Sequence, residues 1–175
     1  LYDFVDRPDP FEPVPCELLF EKMCSNLSFK VGEEVVFVLH KVLTSRSEYF
    51  RAMLKGGFKE LLAPVLIDAE IPIYGIDVDL FKMIIEWIYT MNIKRLNYPT
   101  SPTLLLDLQK VYAAADMYHL PDLCGAVRKY LRYLLSAQNF GEIYQVAKKI
   151  GSTVMEMRVI RAWLSKSDSL NESDE

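Results

Sequence analysis

Few residues in this chain are able to act as nucleophiles or metal ligands, and they are scattered. The sequence holds three cysteines, Cys16, Cys24 and Cys124, and two histidines, His40 and His119. No C-x-x-C spacing occurs, and two histidines with dispersed thiols do not make a structural zinc site. A catalytic thiol needs a nearby base or positive field to become a thiolate. Cys124 stands in Leu123–Cys124–Gly125–Ala126 with no histidine close in sequence, so it reads as a small buried thiol. His40 follows an apolar run and reads as a packed or capping histidine. Asp116 and His119, three residues apart, supply two ligands at most and read as a structural hydrogen-bonding pair. Asp77 and Asp79 suit the N-terminus of a helix better than a pair of catalytic carboxylates. Gly56–Gly57 lacks the G-x-x-x-x-G-K-[ST] phosphate frame, and no G-x-S-x-G elbow exists. The pattern favours an interaction module over an enzyme and implies no cofactor and no metal.

Composition narrows the partners. The 175 residues are 51% hydrophobic and 25% charged, which excludes wholesale disorder. A net charge of −4 argues against nucleic acid or an anionic membrane as the main partner, because both need a basic footprint. The apolar runs are shorter than the ~20 residues that span a bilayer. An odd cysteine count without paired spacing points to a reducing compartment, cytoplasmic or nuclear, rather than a secreted disulfide scaffold. The chain opens at Leu1 with no signal-peptide pattern and reads as a piece of a longer protein.

The elements that must position any surface follow from periodicity. Pro8, Pro10, Pro13 and Pro15 mark residues 1–15 as an extended proline-rich arm, with Phe4, Phe11 and Val14 available for docking. Glu17–Cys24 reads as a short helix. Leu27–Val31 alternates like a half-buried strand, and Val35–Leu39 reads as a strand buried on both faces. Thr44 or Ser45 is expected to cap a helix reaching Leu54, stopped by Gly56–Gly57. Pro64–Ile67 suits a strand. Asp77 or Asp79 is expected to cap a helix carrying Leu80, Phe81, Ile84, Ile85, Ile88 and Tyr89. Residues 92–103 read as a surface loop, followed by helices over Leu104–Met117, Leu120–Leu135, Ala137–Ile150 and Thr153–Leu164. The acidic stretch 165–175 is expected to be a flexible tail. Strands early and helices late define an α+β class.

These residues carry a family resemblance. The order Leu27–Ser28–Phe29–Lys30–Val31, Val36 to Leu43 with His40–Lys41, and Ser45–Arg46–Ser47–Glu48–Tyr49–Phe50–Arg51–Ala52–Met53–Leu54 resembles the BTB/POZ domain. Phe81–Thr90 and Leu106–Leu123, the latter with Ala113 to Pro121, agree with the same pattern. The resemblance covers 16–135 and implies a short sheet flanked by a helical cluster. It departs at Asn26, where the family carries Asp, at Met91, where it carries Gly, and in the one-residue shift of His40–Lys41 relative to Val42–Leu43.

The family's modules dimerise or dock partners, and many are substrate adaptors of cullin-3 ubiquitin ligases. Those adaptors carry a hydrophobic residue, any residue, then Glu after the Ala-Met-Leu helix; here Phe58–Lys59–Glu60 stands at that spacing. Aromatic anchors entering a partner's pocket dominate many interfaces, and Glu60 suits charge-assisted bonds. The helical pair within 136–164 resembles the family's 3-box, the start of a BACK region, with Tyr144 on its apolar stripe. The resemblance therefore implies partner contact at Phe58, Lys59, Glu60, Met53, Tyr118 and Tyr144. The implied partners are the cullin-3 N-terminal region and a second copy of the chain, with substrate bound by domains outside this segment.

Overall fold

The structure, a computed structural model, describes residues 19–22, 25–56, 70–93, 96, 103–136 and 138–171. Three strands form one sheet: β1 (Leu27–Val31), β2 (Glu34–Val38) and β3 (Glu70–Ile73). Their order is β2-β1-β3, so β1 is central. β1 pairs antiparallel with β2, Phe29 opposite Val36, through a turn that needs Gly32 at φ 61°. It pairs parallel with β3, Phe29 opposite Ile71. Leu27, Phe29, Val31, Val36, Val38, Ile71 and Ile73 are buried. Pro72 lacks an N–H and sits on a strand that pairs on one side only, the position where proline is tolerated.

β2 is not buried on both faces as its apolar run predicts. Val35 and Phe37 are half-buried, and the Lys22 Nζ lies 5.6 Å from the centre of the Phe37 ring. Of the helix expected over Glu17–Cys24 only residues 19–22 are described: Leu19 and Phe20 form a turn, with Phe20 in a left-handed conformation at φ 67°, and Lys22 is in 3-10 geometry. The expected strand at Pro64–Ile67 and the proline-rich arm at 1–15 lie outside the described residues.

The region after β2 holds two helices where periodicity suggests one: α1 (His40–Arg46) and α2 (Glu48–Gly56). The reason is local hydrogen bonding. The Thr44 and Ser45 hydroxyls do not cap a helix start; they donate back to the His40 and Val42 carbonyls, both at 2.9 Å. Arg51 then donates to the Thr44 carbonyl at 2.7 Å and the Ser45 carbonyl at 3.2 Å, satisfying the C-terminus of α1. Ser47 is the cap of α2, its Oγ accepting from the Phe50 N–H at 3.3 Å.

α3 (Val78–Thr90) is a deeply buried helix. Leu80, Phe81, Met83, Ile84, Ile85, Trp87, Ile88 and Tyr89 are all buried, so it is apolar nearly all round. Asp77 caps it, accepting from the Leu80 N–H at 2.8 Å, and Met91 ends it in the left-handed region at φ 54°. Arg46 and Tyr89 tie α3 to the rest: Arg46 donates to the Ile88 carbonyl at 3.0 Å and to that of Tyr89, and the Leu39 N–H donates to the Tyr89 hydroxyl.

α4 (Leu104–Met117) and α5 (Pro121–Leu134) lie where the periodicity places them. Pro121 opens α5 at a position where its missing N–H is no loss. α6 (Phe140–Lys149) starts later than expected because Asn139 makes a turn first. Its Oδ1 accepts from the Ser136 N–H at 2.8 Å, and its Nδ2 donates to the Leu134 carbonyl at 2.7 Å. α7 (Thr153–Asn171) packs on α6 and runs into the stretch expected to be a flexible tail. No Gly or Pro follows Gly151, so nothing in the covalent chain stops it earlier. The result is the expected α+β arrangement: a small sheet, a helical cluster and a C-terminal helical pair.

A candidate protein-interaction surface

Of the proposed contact residues, Met53, Tyr118 and Tyr144 are among the described residues. Phe58, Lys59 and Glu60 lie outside the described residues. Met53 is half-buried on α2 and packs against the core, two residues before exposed Lys55. Tyr144 is half-buried on α6, the helix that packs on α4.

Tyr118 is a core residue rather than a surface one. Its side chain is only 2% exposed. Its ring stacks on Phe50 at 5.4 Å and meets Tyr49 edge-on at 5.0 Å. Phe50 continues the cluster to Phe29 at 5.7 Å, and Phe29 meets Phe81 at 5.6 Å. Offset and edge-on aromatic pairs of this kind add about 0.5–1.5 kcal/mol each beyond simple burial. The role of Tyr118 is thus to seat α2 from beneath: adjacent residues of α2 grip the turn between α4 and α5. Burial, and then the neighbouring Tyr49 hydroxyl, push the Tyr118 phenol up to about 12.

Cys124 and the Asp116–His119 pair belong to the fold as well. Burial raises the Cys124 thiol, Asp116 raises it further, and Arg128 offsets part of this. A thiol held in its neutral form is a poor nucleophile. His119 sits at φ 51° with its ring beside Tyr49, centres 6.3 Å apart, while its backbone N–H donates to the Asp116 carbonyl at 3.1 Å. The expected Asp116–His119 hydrogen bond is therefore made through backbone. Among the described residues no three His, Cys, Asp or Glu side chains converge on a metal position. No described helix is long and apolar enough to cross a membrane.

What the surface offers instead is apolar. Leu106 and Met117 on α4 are 49% and 44% exposed, and Val154, Met157 and Trp163 on α7 are more exposed still. The α7 set escaped the sequence reading, although a signal was present. Val154, Met157 and Leu164 recur at helical spacing out of phase with the buried Met155 and Val159.

A small mixed sheet, a helical cluster built on α3 and exposed apolar side chains on two helices define an α+β protein–protein interaction module. The BTB/POZ domain family model matches residues 17–135, and the chain belongs to the BTB/POZ family. It is 30% identical to BTB/POZ domain-containing protein 9 of Drosophila melanogaster over 146 residues, 83% of this chain and 19% of that protein. It is 31% identical to BTB/POZ domain-containing protein 9 of Homo sapiens over 128 residues, 67% of this chain and 19% of that one. The chain thus spans about a fifth of the length of these relatives. Among solved structures, the BTB domain of human gigaxonin shares 24% identity and a TM-score of 0.46, covering 61% of this chain and 76% of that chain.

Proposed function

We propose that this chain is the docking part of a substrate adaptor that recruits cullin-3 through Phe58–Lys59–Glu60. The observation that carries the reading is the anchoring of α2. The helix ends at Gly56, and its Tyr49 and Phe50 are fixed on Tyr118, so the segment that follows leaves from a rigid base. A contact held on a rigid element loses less conformational entropy on binding. The pair α6–α7, which covers the 136–164 stretch and continues to Asn171, is the 3-box-like extension in this reading, with Tyr144 on α6 and Met53 on α2 as further contacts. Substrate choice then belongs to other domains, and the odd, unpaired spacing of the cysteines favours a reducing compartment, cytoplasm or nucleus, for the adaptor.

Titration calorimetry with the cullin-3 N-terminal region tests this. Binding is expected, and Phe58→Ala or Glu60→Lys should each weaken it by at least about 2 kcal/mol, the size of a hot-spot loss. Undiminished affinity in both variants overturns the role of the loop, and absence of binding by the unaltered chain overturns the adaptor reading. A second reading, an oligomerisation domain without ligase role, draws on exposed Leu106 and Met117. It predicts a light-scattering mass above 20.2 kDa together with no cullin affinity.

A further inference from the structure

We propose that the groove where α5 meets the start of α7 docks an acidic amphipathic helix of a partner protein. Two adjoining depressions form it. One, of 510 Å³, is lined by Thr153, Val154, Met157, Arg158 and Arg161. The other, of 420 Å³, runs between Arg128, Lys129 and Arg132 of α5 and the Gly151–Met155 corner, and shares Arg158. A chain with a net charge of −4 therefore concentrates arginines along one groove. Local charge, not the net value, steers an approaching partner.

The helix α7 explains the second half of the match. Its core face carries Met155 and Val159, both 3% exposed. The opposite side carries Val154, Met157, Ile160 and Leu164, exposed by 72%, 52%, 38% and 48%. A surface helix normally keeps one apolar stripe; α7 has two, and the outer one borders the arginines. Residues 153–164 span about 17 Å at 1.5 Å per residue, so about three turns of a partner helix fit along it. Apolar anchors at i, i+3, i+7 and i+10 would cover Val154, Met157 and Leu164, while carboxylates on the flanks pair with Arg128, Arg158 and Arg161. A nucleic-acid strand would satisfy the arginines and leave the apolar stripe in water, so the acidic helix fits better. The inference draws on none of Phe58, Lys59 and Glu60 and does not rest on cullin-3 binding.

The test uses the whole chain, immobilised, to select from a displayed library of random 16-residue peptides. Enriched peptides should be acidic, with apolar residues at helical spacing. Their binding in solution is followed by the emission of Trp163, 56% exposed, against Trp87, 4% exposed. The double change R158E/R161E should weaken the selected peptides at least about tenfold, and Met157→Ser should weaken them as well. All three positions are on the surface, so circular dichroism should show the fold retained. No enrichment, enrichment without acidic bias, or equal binding by R158E/R161E overturns the proposal. A duplex oligonucleotide that binds the chain while the selected peptides do not, and that loses binding in R158E/R161E, replaces it with a nucleic-acid site.

Discussion

The side-chain oxygen of Asn26 accepts a hydrogen bond from the backbone N–H of His40 at 2.8 Å. Asn26 also donates its own N–H to the Val38 carbonyl at 3.2 Å, so one residue closes the open end of the β1–β2 hairpin and caps the first turn of α1. This is the position where the family pattern has Asp. A carboxylate accepts the same bond and adds a favourable charge at the helix N-terminus. Asn26→Ala should lower stability by about 1 kcal/mol, whereas Asn26→Asp should be neutral or stabilising. Urea unfolding of the three chains at neutral pH checks it; equal midpoints for Ala and Asn would show that the cap contributes nothing.

Met91 should be replaceable at a gain. It ends α3 at φ 54°, where a side chain other than glycine's is strained by about 1–2 kcal/mol, and its N–H still bonds to the Trp87 carbonyl at 2.7 Å. Met91→Gly removes the strain at the loss of a half-buried side chain, so a net gain of up to about 1 kcal/mol is expected. Met91→Ala keeps the strain and loses the packing, and should melt lower than the unaltered chain.

Arg46 should not tolerate lysine. Its guanidinium reaches two carbonyls at the end of α3, Ile88 and Tyr89, from a position on α1. Both bonds leave Nη1, whose two N–H groups are held in fixed directions by the planar guanidinium, whereas a lysine ammonium sits on a shorter stem without that fixed geometry. Arg46→Lys is expected to lower stability by about 1–2 kcal/mol, read as a shifted denaturant midpoint with unchanged slope.

Stability should fall as pH rises from 10 to 12, and Tyr118 should account for part of the fall. The unfolded phenol loses its proton near 10, while the folded one keeps it until about 12. Between those values the folded state holds more protons, so its advantage shrinks with each step up in pH, by up to about 1.4 kcal/mol per unit. Tyr118→Phe should flatten that slope while Tyr89 and Tyr130, shifted the same way by burial, maintain the remainder. A parallel pH dependence in the two chains would refute the assignment.

Cys124 should be slow to modify. In a chain with Cys16 and Cys24 changed to Ser, a thiol reagent at pH 8 should react at least about tenfold more slowly than with free cysteine, because burial keeps the thiol protonated and covered. Denaturant should restore the fast rate; rapid reaction in the folded chain would contradict its burial.

Local signals made much of the fold legible. The Asp77 cap, the α4 boundaries and Pro121 at the head of α5 are each written within a few residues of where they act. What escaped depends on partners distant in sequence. β3 is four residues of Glu-Ile-Pro-Ile, too short and too proline-broken to read as a strand until β1 lies beside it. The break between α1 and α2 is decided by Arg51 reaching back to carbonyls seven and six residues earlier, which no hydrophobic period records. Tyr118 illustrates the same limit at the candidate site. Its motif was recognisable, but burial under α2 depends on Tyr49 and Phe50 arriving from far upstream. The α7 face was readable in principle, because its two apolar stripes are both in the sequence at helical spacing.

The central place of β1 has a consequence during synthesis. One flank is filled at once by its hairpin neighbour, but the other waits for a strand ending at Ile73. A nascent polypeptide that has emerged only as far as α2 therefore carries a row of open amide and carbonyl groups along one side of β1, a template that any passing extended segment can join. Translation pauses before Ile73 emerges would lengthen that exposure, and chaperone demand should be greatest there.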